Sequence, residues 1–216
     1  MFKRRIKRSY TQIVTEGFYP RGGWTRAFSY VMHRLRRLPD PPHKIARGVA
    51  AGIFVCFTPF FGFHFVLAAG LAMVMQGNIL AAVLATFFGN PLTIPIIATM
   101  SIELGSWMLG MHHGLPLPQL VDAFSNASLE LWNNFTAIFS MHEAHWDRLG
   151  DFFRRVFLPY MVGGIVPGLV ASIVGYALTL PAISAYQKAR IKRLKKRYEK
   201  KRAAEEAKAD AALKAR

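Results

Sequence analysis

The longest uncharged stretch of the sequence runs from Gly48 to Ile102 and reads GVAAGIFVCFTPFFGFHFVLAAGLAMVMQGNILAAVLATFFGNPLTIPIIATMSI. These 55 residues contain no Asp, Glu, Lys or Arg, and a second uncharged stretch covers residues 156–187. A helix crosses the bilayer core with about 20 residues, and a charge placed there costs roughly 2.5–3.5 kcal/mol. We therefore expect an all-α integral membrane protein with two to four hydrophobic helical segments.

Charged residues are concentrated at the two ends of the 216-residue chain, whose formal net charge is +16. Residues 1–47 hold twelve Lys and Arg with two acids, and residues 188–216 hold thirteen with four. An apolar centre with basic ends excludes disordered, collagen-like and disulfide-rich classes of protein. Because Lys and Arg are enriched on the cytoplasmic side of membrane proteins, both termini are predicted to be cytoplasmic.

Helix-breaking residues interrupt the first apolar stretch twice, at Pro59-Phe-Phe-Gly62 and at Gly89-Asn90-Pro91. Proline lacks a backbone donor and glycine permits positive φ, so both places predict broken or re-entrant segments, with a proline-kinked helix as the simpler alternative. With both termini on one side, we expect one crossing in 48–76, a re-entrant or broken element in 79–110 and a return crossing in 156–185. Four short crossings are the alternative.

Neutral polar residues beside these interruptions are candidates for a binding site. Broken helices in transporters direct backbone dipoles and such side chains towards a solute, although the same side chains can simply cap freed backbone groups. Glu103 is the one acid between Asp40 and Asp122; within the membrane it would be functional by default, whereas at an interface it would be ordinary. The candidate membrane-embedded binding residues are Thr58, Pro59, Gly62, His64, Asn90, Pro91, Thr93 and Glu103.

The basic ends have different patterns. Residues 24–38 predict an amphipathic helix, lying in the headgroup layer or packed on the protein itself. Its apolar stripe consists of Trp24, Phe28, Val31, Leu35 and Leu38. Residues 188–216 lack Pro and Gly and predict a charged helix that continues the last apolar segment and attracts anionic lipid. Nucleic acid is disfavoured as a partner because no aromatic platform accompanies the charge.

These patterns divide the chain into a basic cytoplasmic region 1–41, a membrane domain 42–187 and a basic helical tail 188–216. Motifs for nucleotide binding or nucleophilic catalysis are absent, and Cys56 lies among apolar neighbours. The histidine clusters, His112-His113 and His142 with His145, would each need further metal ligands. The sequence therefore favours a protein without enzymatic activity, metal or cofactor.

Several short motifs resemble those of a known family. They are Pro42-His-Lys-Ile-Ala-Arg-Gly48, Pro59-Phe-Phe-Gly-Phe-His64, Gly77-Asn-Ile79 and Gly89-Asn-Pro-Leu-Thr-Ile-Pro95. Through them the chain resembles the bacterial membrane proteins grouped as domain of unknown function 2062, closely over 42–110 and loosely over 24–185. The resemblance implies a multi-pass protein of the bacterial cytoplasmic (inner) membrane and implies no reaction.

Two functions of different classes remain open. The paired breaks favour small-solute transport or lipid handling, by a homo-oligomer because so few segments seldom enclose a pathway alone. The alternative is a membrane scaffold or assembly protein whose basic ends recruit partners or anionic lipid.

Overall fold

The computed structural model describes residues 23–111, 117–137 and 146–214, and within these ranges it consists of helices and turns without strands. The all-α prediction is therefore confirmed for this part of the chain, whereas both histidine clusters lie outside it. The helices are α1 Gly23–Arg36, α2 Pro42–Val55, α3 His64–Val74, α4 Ile79–Ala85, α5 Ile94–Met108, α6 Leu117–Ala137, α7 Asp147–Phe152 and α8 Leu158–Lys214. A 3-10 turn, Thr86–Phe88, extends α4, and a π-helical turn, Phe153–Phe157, joins α7 to α8.

Helices α2 and α3 form a hairpin rather than one long segment. The break between them leaves helices of 14 and 11 residues, about 21 and 16 Å long, and small side chains such as Ala51, Ala68 and Ala72 pack between them. The backbone N–H of Asn78 donates to the carbonyl oxygen of Lys44 at 2.8 Å. The chain thus returns to the level at which α2 starts, and the predicted crossing in 48–76 is wrong because the break reverses the chain.

Helix α4 runs parallel to α2 at very short range. A Cβ atom built on Gly48 would lie 2.2 Å from the carbonyl oxygen of Asn78, and one built on Gly52 would lie 2.2 Å from that of Ala82. Real Cβ atoms do not approach oxygen so closely, so only glycine fits at these two positions. In both contacts the two residues are 30 positions apart in the sequence. The same separation relates the residues that meet at the ends of the two helices, where the breaks follow.

Helices α5 and α8 pack antiparallel through a second set of small residues. A Cβ on Gly105 would lie 1.8 Å from the carbonyl oxygen of Pro159, and one on Gly163 would lie 2.0 Å from that of Ser101. Helix α8 then passes the end of α2 and continues to its start, where Gln187 Nε2 donates to the carbonyl oxygen of Asp40 at 3.0 Å. Helix α8 therefore links the far end of α5 to the level at which α2 begins.

Helix α8 has 57 residues and continues without interruption into the basic tail, as predicted. Within the described ranges, the helical stretch Asp147–Ala203 is the one that is long and apolar enough to cross a bilayer by length and composition. Its most apolar window has a mean hydropathy of 1.9 and is only 22% buried. Little of this apolar helix is therefore covered by the rest of the chain.

Helix α1 confirms the amphipathic helix predicted for residues 24–38. It ends at Arg36, two residues before the predicted end. The side chains of Leu35 and Leu38 are buried in the core, whereas that of Phe28 is 67% exposed. The carboxyl-terminal part of the predicted apolar stripe therefore packs on the protein itself, whereas Phe28 does not.

Candidate binding cavity between two helix breaks

The breaks after α2 and α4 lie side by side, although α3, a turn and α4 itself separate them in sequence. The rings of Phe57 and Phe88 stack with centroids 6.2 Å apart. The thiol of Cys56 donates to the carbonyl oxygen of Thr86 at 3.4 Å and to that of Gly52 at 3.2 Å. The carboxyl ends of α2 and α4 therefore meet the amino ends of α3 and α5.

A cavity of about 110 Å³ occupies this meeting point. It exceeds the space that one water molecule needs, but it is smaller than the roughly 300–1,000 Å³ of sites for drug-sized ligands. The cavity therefore suits a small ion or a few water molecules and excludes a lipid. Its lining residues are Cys56, Gly62, His64, Phe65, Thr86, Gly89 and Ile94.

The first break owes its shape to capping and to one glycine. Thr58 Oγ1 donates to the carbonyl oxygen of Val55 at 2.7 Å and so satisfies an acceptor at the end of α2. Pro59 is buried in the turn that follows. Gly62 has φ +89°, which glycine adopts without the strain that a side chain would bring. The chain can then enter α3 at His64 within a few residues.

The imidazole of His64 is held against the first break. Its Nε2 lies 3.3 Å from the carbonyl oxygen of Thr58, and its ring meets that of Phe61 edge-on at 5.4 Å. When Nε2 donates this hydrogen bond from the neutral ring, Nδ1 is an acceptor. His64 thus combines a fixed ring orientation with a nitrogen that can bind a proton or accept a hydrogen bond.

The second break is closed by reciprocal hydrogen bonds between Asn90 and Thr93. Asn90 Oδ1 accepts from the backbone N–H of Leu92 at 2.9 Å and from that of Thr93 at 3.1 Å. Thr93 Oγ1 accepts from the backbone N–H of Asn90 at 3.0 Å and donates to the carbonyl oxygen of Phe88 at 2.5 Å. Both side chains therefore bind backbone groups, which is the capping role and the simpler of the two predicted alternatives.

The predicted site residues fall into three groups. Gly62 and His64 line the cavity, and three polar residues of the set cap the breaks that form it. Pro91 is exposed at the second break, next to Asn90. Glu103 is also exposed on α5 and does not line the cavity. The polar candidates therefore converge on one place, apart from the acid.

Sequence reasoning missed Cys56 and Thr86 as cavity residues. The apolar neighbours of Cys56 in the sequence agree with its burial, since the side chain is 3% exposed, but they do not indicate a cavity. The available signal was the spacing of 30 residues that relates Gly48 to Asn78 and Cys56 to Thr86. This spacing predicts that the two breaks meet.

A second polar cluster ties the hairpin together at the opposite end of α2. Asn78 Oδ1 accepts from the backbone N–H of Ala81 at 2.6 Å and caps α4, while Asn78 Nδ2 donates to Asp40 Oδ2. Lys44 Nζ lies 3.2 Å from Asp40 Oδ1. These interactions, with the hydrogen bond from Asn78 first, lower the pKa of Asp40 below its ordinary value of 3.8. The cluster holds the starts of α2 and α4 at one level.

Metal-ligating side chains do not gather in the described ranges, where no group of three or more His, Cys, Asp or Glu residues could hold an ion. Cys56 and His64 both line the cavity without a third such residue. The side chains at the breaks offer hydrogen-bond donors and acceptors, and the imidazole of His64 offers a nitrogen that can bind a proton.

Residues 25–192 match the model of a family described as "Uncharacterized protein conserved in bacteria (DUF2062)". No curated protein and no solved structure matches the chain. The family match covers most of the chain and includes α2 to α5 with both breaks and the Asn-Pro-Leu-Thr motif. The resemblance drawn from residues 42–110 is confirmed, and the chain belongs to this bacterial family.

Proposed function

We propose that the chain is an integral protein of the bacterial cytoplasmic membrane that moves a small solute past the cavity between its helix breaks. The first support is the distribution of side chains by size. Many large apolar side chains point outwards, with Val74 82% and Trp107 76% exposed, whereas Ala68, Ala72 and Ala82 are fully buried. Water-soluble proteins bury their large apolar residues, whereas helices in lipid pack through small ones.

The second support is the course of the backbone. Helix α8 is long enough to cross, and α4 with its 3-10 turn followed by α5 adds about 37 Å of helix, more than the roughly 30 Å bilayer core. Two crossings return the chain to the side on which it started. In this topology the hairpin α2–α3 enters and leaves on the side of the basic ends, which are cytoplasmic and bind anionic lipid.

Transport rests on one observation, namely that two breaks from separate helices line the same cavity. Such breaks bring dipole ends of four helices to one point at the depth where lipid excludes water. The volume favours an ion or another small solute over a lipid. Because two crossings and a hairpin do not surround a pathway, we propose that copies of the chain complete it as a homo-oligomer.

The single cysteine of the chain provides the test. Purified full-length protein in vesicles is treated with a small water-soluble methanethiosulfonate, and the modified fraction is followed by mass spectrometry. If the cavity connects to water, Cys56 reacts, and His64→Phe slows the reaction by filling the cavity. The control is Cys56→Ala with Ala98→Cys, because Ala98 is 4% exposed and lies outside the cavity. Equal rates at positions 56 and 98 would contradict the proposal.

A membrane scaffold is the second candidate. It is favoured by the reciprocal capping of Asn90 and Thr93, because these hydrogen bonds explain the second break without a bound solute. In a scaffold, deleting residues 188–216 releases anionic lipid or bound partners, and Cys56 stays unreactive. In a transporter, the same deletion leaves the reaction at Cys56 unchanged.

A further inference from the structure

A second pocket lies between α6 and the segment α7–α8, away from the helix breaks. Its volume is about 490 Å³, which falls within the range of roughly 300–1,000 Å³ typical of small-molecule sites. One wall is a face of α6 with Gln119, Asp122 and Asn126, at spacings of three and four. The opposite wall carries Arg148, Asp151 and Arg155 at the same spacings. Two charged helical faces thus enclose one space.

The walls of this pocket are fixed to one another. Glu130 on α6 is 8% exposed, and its Oε1 accepts from the backbone N–H of Arg148 at 3.2 Å while Oε2 accepts from that of Leu149. A carboxylate that caps a helix start forms strong, charge-assisted hydrogen bonds. The rings of Phe124 and Phe152 also meet edge-on at 4.7 Å. The pocket is therefore preformed, with Phe152 and the buried Val156 beneath its charged groups.

The charges of the pocket are balanced but not paired with each other. Asp122 and Asp151 offset Arg148 and Arg155, so the lining has no net charge. None of the four side chains makes an ion pair with any residue in the ranges that the structure describes. Two guanidinium groups and two carboxylates therefore face one space. No residue in the described ranges forms an ion pair with them, so they can bind a ligand.

We propose that this pocket binds a zwitterion that carries a phosphate and a primary amine. Guanidinium groups bind phosphate through paired, charge-assisted hydrogen bonds. The charge of two guanidinium groups is matched better by a phosphate than by a single carboxylate. The carboxylates of Asp122 and Asp151 accept hydrogen bonds from the ammonium group. A simple anion would leave both carboxylates unpaired, and a simple cation would leave both arginines unpaired.

The same chemistry occurs in a free aminoalkyl phosphate and in the headgroup of a phosphatidylethanolamine lipid. The lipid source rests on the proposed topology, which puts the start of α8 at the outer membrane surface. The binding chemistry does not rest on it, because the pocket is built from described residues of α6, α7 and the π-helical turn. If only the experiment with lipid fails, the proposed topology is in error. If the soluble compound does not bind, the proposed pocket is in error.

The test uses the purified full chain in a non-ionic detergent and measures binding by isothermal titration calorimetry. The probes are O-phosphoethanolamine, inorganic phosphate and ethanolamine. We expect O-phosphoethanolamine to bind more tightly than either fragment by about tenfold or more, because each fragment engages one pair of charges. Equal affinity for phosphate alone, or no binding of O-phosphoethanolamine, would overturn the proposal.

Variants assign the binding to this pocket. Arg155→Gln and Asp122→Asn should each weaken O-phosphoethanolamine binding by about tenfold or more, the loss of one charge-assisted hydrogen bond. The matched control is Arg154→Gln, which removes the same charge from the neighbouring exposed position outside the pocket. Both arginines and Asp122 are exposed, and the two test variants lie on different segments, so misfolding of one leaves the other informative. Equal loss in Arg154→Gln and Arg155→Gln would reject the site.

Nanodiscs distinguish the two sources of the ligand. If the headgroup occupies the pocket, O-phosphoethanolamine binds more weakly in nanodiscs of phosphatidylethanolamine than in those of phosphatidylglycerol. Equal binding in both supports the free aminoalkyl phosphate as the ligand. Weaker binding in phosphatidylglycerol would contradict the proposed charge recognition, because that headgroup lacks the amine.

Discussion

The side chain of Asn78 donates a hydrogen bond to the carboxylate of Asp40, 38 residues earlier in the chain. The same amide caps α4 through Ala81, and Lys44 pairs with the other carboxylate oxygen. One acidic residue thus joins the start of α2 to the start of α4. This contact keeps the two ends of the α2–α3 hairpin at one level.

Asp40→Asn is expected to destabilise the protein by about 1 kcal/mol at pH 7, because an ionised acceptor is lost from the cluster. The folded state lowers the pKa of Asp40 below 3.8, so its contribution is present above that value and lost as the pH falls through the folded pKa. The stability difference between wild type and variant should therefore shrink below about pH 4. Unfolding in detergent from pH 7 to 3 measures it.

Asp147→Asn serves as the control for this pH dependence, since Asp147 is exposed at the start of α7. Its replacement should leave the acid sensitivity of the wild type in place. A stability difference for Asp40→Asn that is constant from pH 7 to 3 would show that the carboxylate does not hold the hairpin.

The close packing of α5 against α8 predicts a large effect of one added methyl group. Gly105→Ala would place its Cβ 1.8 Å from the carbonyl oxygen of Pro159, a backbone atom that cannot move aside without shifting α8. We expect a loss of about 1–3 kcal/mol or more in the free energy of unfolding. Thermal unfolding in detergent measures the loss.

Gly70→Ala is the matched substitution for this prediction. Gly70 lies within α3, and no atom comes within 4 Å of a Cβ built there. Alanine is a better helix former than glycine, so the variant should be unchanged or more stable by about 0.5–1 kcal/mol. Equal effects of Gly70→Ala and Gly105→Ala would contradict the close contact of α5 with α8.

The capping role of Asn90 predicts a loss of stability without a change in cavity chemistry. Asn90→Ala removes the acceptor of two backbone N–H groups and should cost about 0.5–2 kcal/mol. Asn90→Ser keeps a neutral side-chain acceptor without adding a charge, and should retain more of the stability than Asn90→Ala. If both variants instead block the reaction of Cys56 in a fully folded protein, Asn90 acts on the cavity contents rather than as a cap.

The helix breaks could be predicted from sequence because proline and glycine act locally. Pro59, Gly62 and Pro91 end helices for reasons that need no partner. The capping by Asn90 was among the predicted alternatives for the same reason. Local chemistry thus located the candidate site within a few residues.

The direction of the chain after the first break could not be predicted from sequence. An uncharged run of suitable length can continue through a membrane or turn back, and its hydropathy is the same in both cases. What distinguishes them is the contact of Asn78 with Lys44 and Asp40, which depends on the tertiary arrangement. The meeting of Cys56 with Thr86 follows from that arrangement and was missed with it.

The side of the membrane from which residue 76 can be reached tests the topology most directly. Gln76 is exposed at the end of the hairpin, and Trp146 is exposed at the start of α7. Each is replaced by cysteine in a Cys56→Ala background and treated with a membrane-impermeant maleimide in spheroplasts and in inverted vesicles. We predict that Gln76→Cys is labelled in inverted vesicles only, and Trp146→Cys in spheroplasts only. Labelling of Gln76→Cys in intact spheroplasts would contradict the hairpin topology.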